Sequence, residues 1–160
     1  VYEFSQKITP NLWFDNQAEE AAKYYCSIFP DSRIVHVHHH GEAGPGEPGT
    51  VLVVQFELCG QQFVGLNGGP QFTFTEAVSL EITCESQEEV DRLWAQLGEG
   101  GEHGPCGWLK DRYGLSWQVT PRRLLELLTE SEPAASDRVM KAMMGMGKLD
   151  IAELEAAARG

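Results

Sequence analysis

A chain of 160 residues can bury a substantial core, and its simplest organisation is a single domain. Its net charge is −12, from 24 acidic against 12 basic residues, which repels phosphate backbones and argues against nucleic acid as a partner. Hydrophobic content is 42% with no apolar run of spanning length, so no membrane association is expected. The start, Val1 to Lys7, shows no basic region followed by an apolar stretch. The four cysteines, Cys26, Cys59, Cys84 and Cys106, form no C-x-x-C pair. They read as small hydrophobes in a reducing compartment, so a cytoplasmic protein is expected. Cys106, in a Gly-Pro-Cys-Gly loop, is the best placed of the four for reactivity.

In chain order, residues 7–14 read as a strand and 17–29 as a helix, with Ala21, Ala22, Tyr25 and Phe29 at core-facing spacing. Pro30-Asp31-Ser32 ends that helix. Residues 33–40 alternate as a strand, which puts Ile34, His36, His38 and His40 on one face. A glycine–proline loop, Gly41 to Gly49, leads to a strand over 50–58. Cys59-Gly60-Gln61 turns the chain into its hairpin partner, 62–67. The second half runs as a strand over 77–84, a helix over 87–97 and short strands at 102–104 and 107–111. The turn Asp111-Arg112-Tyr113-Gly114 then leads into a last strand, 115–120. From Pro121 the pattern is helical: Arg122 to Thr129, then 136–146 with Met140, Met143, Met144 and Met146, then Ile151 to about Arg159 behind an Asp150 N-cap. The methionine stripe reads as core or subunit contact, with a pliable binding surface as the alternative.

The two halves repeat at an offset of 70 residues. Ile8-Thr9-Pro10-Asn11-Leu12-Trp13-Phe14 and Val78-Ser79-Leu80-Glu81-Ile82-Thr83-Cys84 each precede an acidic helix start. Asn16 and Ser86 are expected N-caps, with Glu19 and Glu89 three residues on. Residues 7–70 and 77–120 are therefore two copies of a βαβββ module, and 121–160 is a helical extension. Pseudo-symmetric domains tend to place sites where the copies meet.

This repeat, with the run Gly107-Trp108-Leu109-Lys110-Asp111-Arg112-Tyr113-Gly114-Leu115-Ser116-Trp117-Gln118-Val119-Thr120-Pro121, resembles the PhnB-like group of the vicinal oxygen chelate superfamily. Trp13-Phe14-Asp15, Phe29-Pro30-Asp31-Ser32, Gly41-Glu42-Ala43-Gly44, Leu66-Asn67-Gly68-Gly69-Pro70 and Val139-Met140-Lys141-Ala142-Met143 extend the resemblance over nearly the whole chain. The group often carries the label 3-demethylubiquinone-9 3-methyltransferase. The resemblance implies an α+β fold in which tandem βαβββ units form curled antiparallel sheets around an open cup. It also implies homodimers and, in the metal-dependent members, one divalent ion held by His, Gln or Glu on four strands.

Carried onto this sequence by spacing, those four positions are Thr9, Gly65 or Asn67, Ser79 and Gln118. The set holds no imidazole and no carboxylate, so it offers little to a divalent cation, and no metal or other cofactor is expected. Hydroxyls and amides there, with Asn11 and the aromatic residues Trp13, Trp108 and Trp117, are candidates for binding a small polar molecule. The alternative is that the aromatic side chains, Phe56 above all, fill the core. His36, His38 and His40 could together bind Zn²⁺ or Ni²⁺. They lie where the superfamily has no ligand, and an exposed strand end with adventitious affinity is the favoured reading; His39 points the other way and His103 reads as structural. Glu57, Glu76 and Glu81 are the carboxylates nearest the cup, and Glu81 would need a raised pKa to act as an acid. Gly44-Pro45-Gly46 sits between strands, and Gly98-Glu99-Gly100-Gly101 ends a helix, so no glycine loop supports methyl transfer. The expected function is a metal-independent small-molecule-binding dimer. The alternative is an enzyme acting on a small oxygen-rich substrate, whether glyoxalase- or dioxygenase-like or a methyltransferase.

Overall fold

The structure is a computed structural model, and it describes residues 5–160. The chain forms two compact units, one up to Thr73 and one from Phe74 onward. The first carries β1 (Asn11–Phe14), α1 (Ala18–Ile28), β2 (Arg33–His39), β3 (Val51–Leu58) and β4 (Gln61–Asn67). The second carries β5 (Ser79–Cys84), α2 (Gln87–Gly98), β6 (Glu102–His103), β7 (Trp108–Lys110) and β8 (Ser116–Pro121). Three helices complete it: α3 (Arg122–Glu130), α4 (Pro133–Met144) and α5 (Ile151–Arg159).

The sheets have the same order, β1-β4-β3-β2 and β5-β8-β7-β6, so the repeat seen in the sequence is a repeat of topology. Neither sheet is wholly antiparallel, as the resemblance implied: β1 runs parallel to β4, and β5 to β8. The helix is the reason. A crossover through α1 returns the chain to the far edge in its original direction, and the β2–β3–β4 meander then fills the gap.

Each sheet packs one face on its helix. In β3, Val54, Phe56 and Leu58 are buried while Val53, Gln55 and Glu57 between them are half-buried. Tyr25, Ala21 and Ala22 of α1 are fully buried, and Phe56 stacks on Phe63 at 5.5 Å. Full burial of side chains such as Val54 and Phe56 contributes about 1.5–3 kcal/mol each. Gly65 lets the helix approach: a Cβ there would stand 3.2 Å from that of Ala18. In the second unit Val90, Leu93 and Leu97 of α2 are buried, as are Leu109, Trp117 and Val119 of the sheet.

Four local expectations are corrected. The first strand begins at Asn11, not at residue 7, because Pro10 has no N–H to give to a ladder. The Pro10 carbonyl still accepts from Val64 N at 3.0 Å, and Thr9 lies outside the strand. Strand β2 is irregular between Ile34 and His36 and between His38 and His39, which breaks its simple alternation. Ile34 pairs with buried Phe56, whereas His36 and His38 pair with Gln55 and Val53 on the opposite face, and His40 lies beyond the strand. Helix α1 is not capped by Asn16: Gln17 occupies the N-cap position without a side-chain bond, and Asn67 Oδ1 accepts from Ala18 N instead. Helix α4 begins at Pro133, whose fixed φ suits a first turn.

Other ends behave as expected. Ser86 Oγ accepts from Glu89 N at 3.2 Å, and Asp150 Oδ1 from Glu153 N at 3.0 Å. The C-terminal helices bury Leu124, Leu127, Val139, Leu149 and Leu154 together, with Met143 and Met146 packed against them. Met140 and Met144 are exposed, so the methionine stripe is divided between core and surface.

Candidate functional site

In the second unit the register fixes which residues share the face away from α2. Glu81 and Trp108 both pair with Gln118, while Ser79 and Lys110 both pair with Ser116. On this face Gln118 Nε2 donates to Ser79 Oγ at 3.0 Å. Two expected site residues, 39 positions apart, are thus brought into contact.

Trp117 is adjacent to Gln118 and so points to the other face. It is 3% exposed, and its indole N–H donates to Asp111 Oδ2 at 2.8 Å. Trp117 is therefore a core residue, not part of the lining with Trp108. Asp111, read from the sequence only as a turn residue, is the anchor of this region. It is 2% exposed, and its Oδ1 also accepts from Tyr113 N at 2.8 Å and Leu115 N at 3.1 Å. The legible signal was the Asx turn: aspartate two residues before a backbone donor in a Gly-containing turn.

A cavity of about 540 Å³ opens on the second unit, with Trp108, Lys110, Ser116, Pro105, Cys106 and Leu109 in its lining. Glu76 and Lys110 form an ion pair beside it. The hydrogen bond from Lys110, with its charge, holds the Glu76 carboxyl below the usual carboxylate range, so Glu76 is not suited to be a general acid. Ser116 is fully buried, and its Oγ has no hydrogen-bond partner among the described residues. A buried hydroxyl left so costs about 1–3 kcal/mol. His103 stacks on Trp94 at 4.4 Å and its Nε2 lies 2.8 Å from the Trp94 carbonyl, in keeping with a structural role.

In the first unit Leu12 and Phe14 turn toward the core, which places Asn11 and Trp13 on the opposite face. Asn11 is exposed, and Trp13 donates its indole N–H to Gly69 O at 2.9 Å with its ring edge-on to Phe72. Gly65 and Asn67 pair with Leu12 and Phe14, so they lie on the helix side and not with Trp13. Asn67 is committed on both ends: Oδ1 to Ala18 N and Nδ2 to Val51 O. Thr9 Oγ1 is 3.4 Å from Gln6 O. A wider cavity of about 1010 Å³ lies at the strand ends, bordered by Asn67, His40 and the carboxylates of Asp15, Glu19, Glu20 and Glu47.

The donor set does not fit a divalent ion. Of the four inferred positions, Asn67 is tied to a helix end, Gly65 has no side chain, and Ser79 and Gln118 bond to each other. The rings of His36 and His38 lie 6.2 Å apart, but among the described residues no three His, Cys, Asp or Glu side chains are grouped to hold a metal. Glu57 is engaged by Arg33 at 3.3 Å, and Glu81 is exposed on β5.

The family described as 3-demethylubiquinone-9 3-methyltransferase matches residues 6–120. The chain belongs to this PhnB-like family. A PhnB protein of Bacillus cereus is 41% identical with a TM-score of 0.65, over 72% of this chain and 99% of that one. A protein of Pseudomonas aeruginosa, 20% identical, shares the fold with a TM-score of 0.61 over 73% of this chain and 98% of its own. A glyoxalase/bleomycin resistance protein of Albidiferax ferrireducens is 16% identical with a TM-score of 0.44, over 70% of this chain and 95% of its own. No curated protein matches the chain. The family match ends at residue 120, so the Val139-Met140-Lys141-Ala142-Met143 part of the resemblance lies beyond it. Among the described residues no helix of this PhnB-like protein is long and apolar enough to cross a membrane.

Proposed function

We propose that this PhnB-like protein is a metal-independent small-molecule-binding dimer whose ligand meets the Ser79–Gln118 pair. The observation that carries the reading is the 3.0 Å bond between those two side chains. Where the resemblance assigns metal ligands, this chain has a neutral hydroxyl and amide that satisfy each other. Their free lone pairs and second amide hydrogen remain to orient a polar group on a ligand. The adjacent Trp108 supplies a flat apolar contact. Dimerisation rests on the family resemblance.

The family description and the Bacillus cereus relative both name a methyltransferase. Nucleotide-like cofactors favour a helix start approached by glycine, where backbone N–H groups attract anions. Here α1 and α2 have Gln17 and Ser86 at their N-cap positions and Glu19, Glu20, Glu88 and Glu89 in their first turns, which repel an anion. These residues do not suit such a cofactor, and binding is the better reading.

Native mass spectrometry of untagged protein, purified without added metal, tests the proposal. A dimer that carries an organic mass and no metal, with the mass lost in Gln118→Ala, is expected. One divalent ion per chain, retained through dialysis, would overturn it.

A further inference from the structure

Strand β2 lies at an edge of its sheet, in the order β1-β4-β3-β2, and it carries His36 and His38 exposed. Its pairing with β3 is irregular on either side of these two and regular across them: His36 stands opposite Gln55, Val37 opposite Val54 and His38 opposite Val53. Side chains two apart on a regular strand share a face, and here the two imidazole rings stand 6.2 Å apart. Neither ring has a hydrogen bond or an ion pair among the described residues. We propose that His36 and His38 chelate one exchangeable borderline divalent cation, of the Ni²⁺ and Cu²⁺ class, through one nitrogen of each ring. The inference goes beyond the binding reading above and does not rest on it: the histidines belong to the first unit, and the Ser79–Gln118 pair to the second.

The chemistry of the pair selects the ion. Imidazole suits Ni²⁺ and Cu²⁺, whereas Mg²⁺ and Ca²⁺ take oxygen donors. A metal–imidazole bond is about 2 Å long, so two exposed rings at this separation need only side-chain rotation to meet at one ion. Val54, opposite Val37, is fully buried, which anchors the backbone between the two histidines to the core. The second donor then binds as an intramolecular ligand with little left to order. From residue 34 to residue 91 the sequence has no Lys or Arg, and Arg33, at the start of the strand, is paired with Glu57. No positive side chain within this stretch repels a cation.

His40 is not the third ligand that simple alternation would supply. It lies beyond the strand, its Nδ1 is buried, and a Cβ at Gly46 would collide with its ring, so the glycine loop covers it. Among the described residues no group of three His, Cys, Asp or Glu is placed to hold a metal. Two protein donors leave the remaining positions to water. The ion is therefore lost on dialysis, which separates it from a retained ion at the Ser79–Gln118 pair.

The test is isothermal titration of the untagged full chain with NiCl₂, in a Cys59→Ser background that removes an exposed thiol as a rival donor. Saturable binding of one Ni²⁺ per chain is expected, with Cu²⁺ displacing it and Mg²⁺ without effect. His36→Gln and His38→Gln should each weaken Ni²⁺ binding by at least about tenfold, and the double variant little further, since one imidazole alone makes no chelate. His39→Gln should bind as the parent does. All three positions are exposed, so thermal melting should be unchanged and a loss of binding is read on folded protein. Equal Ni²⁺ binding by the parent and either single variant, an equal loss in His39→Gln, or Mg²⁺ binding as strong as Ni²⁺ would each overturn the proposal. None of these outcomes bears on the organic mass lost in Gln118→Ala, so the two readings fail separately.

Discussion

Asn67, at the end of β4, caps a helix that begins 49 residues earlier in the chain, its Oδ1 accepting from Ala18 N at 2.8 Å. The cap comes from a strand and not from the residues preceding the helix, so it ties α1 to the sheet. The same side chain donates to Val51 O at 3.2 Å. Asn67→Ala is expected to destabilise the protein by about 1–3 kcal/mol, from the lost cap and the second bond. Asn67→Asp keeps the acceptor and should recover part of the loss. Urea unfolding measures both, and an unchanged midpoint for the alanine variant would refute the structural role.

Asp111 should be among the more costly turn positions to change. Its carboxylate serves Tyr113 N, Leu115 N and Trp117 Nε1 while 2% exposed. Asp111→Ala leaves three donors without that acceptor and should cost about 3–4 kcal/mol. Asp111→Asn, which keeps one acceptor oxygen, should cost about half as much. Thermal melts followed by near-ultraviolet circular dichroism would show this, since Trp117 loses its anchor. Equal melting of parent and alanine variant would refute the assignment.

Removal of the Ser79–Gln118 bond should separate stability from binding. Both side chains are half-buried, so Ser79→Ala and Gln118→Ala should each shift stability by no more than about 1.5 kcal/mol. The co-purified mass, in contrast, should fall in both. A large stability loss with binding intact would mark the pair as structural.

Cys84 predicts an alkaline signature. Burial, followed by the nearby Glu89 carboxylate, pushes its thiol up to about 12 from an ordinary 9.0. The unfolded chain therefore releases this proton first. The stabilisation is present below about pH 9 and declines as the pH rises toward 12. Cys84→Ala should remove that part of the decline, seen as a shallower fall of urea midpoints above pH 9 than in the parent. Identical slopes would refute it.

The repeat was legible because its signals are local: apolar strand, polar cap, acidic first turn. Ser86 and Asp150 cap where their spacing indicates. Asn16 does not, because Asn67 competes from a distant strand, and no local pattern encodes a bond across 49 residues. In the histidine strand His36 and His38 share an exposed face as expected, but Ile34 and His39 depart from the simple alternation for a related reason. Irregular pairing at Ile34 and His36 changes which face each side chain takes, and register is set by the partner strand. Trp117 and Gln118, both proposed for one lining, are neighbours in a strand, and alternation alone separates them. The unsatisfied Ser116 hydroxyl had no sequence signal, since a missing partner is a property of packing.

The loop that carries Cys106 rests on main-chain acceptors from residues 146 and 147, outside the duplicated architecture. The support of this loop is therefore separate from the strand pairing of either sheet. Substitutions between Met146 and Ile151 are expected to alter how the loop sits while the strand pairings of the βαβββ framework stay intact. Sheets and loop are in that sense separable: the repeat supplies the two sheets, and the segment beyond residue 120 holds the loop that borders the cavity of about 540 Å³.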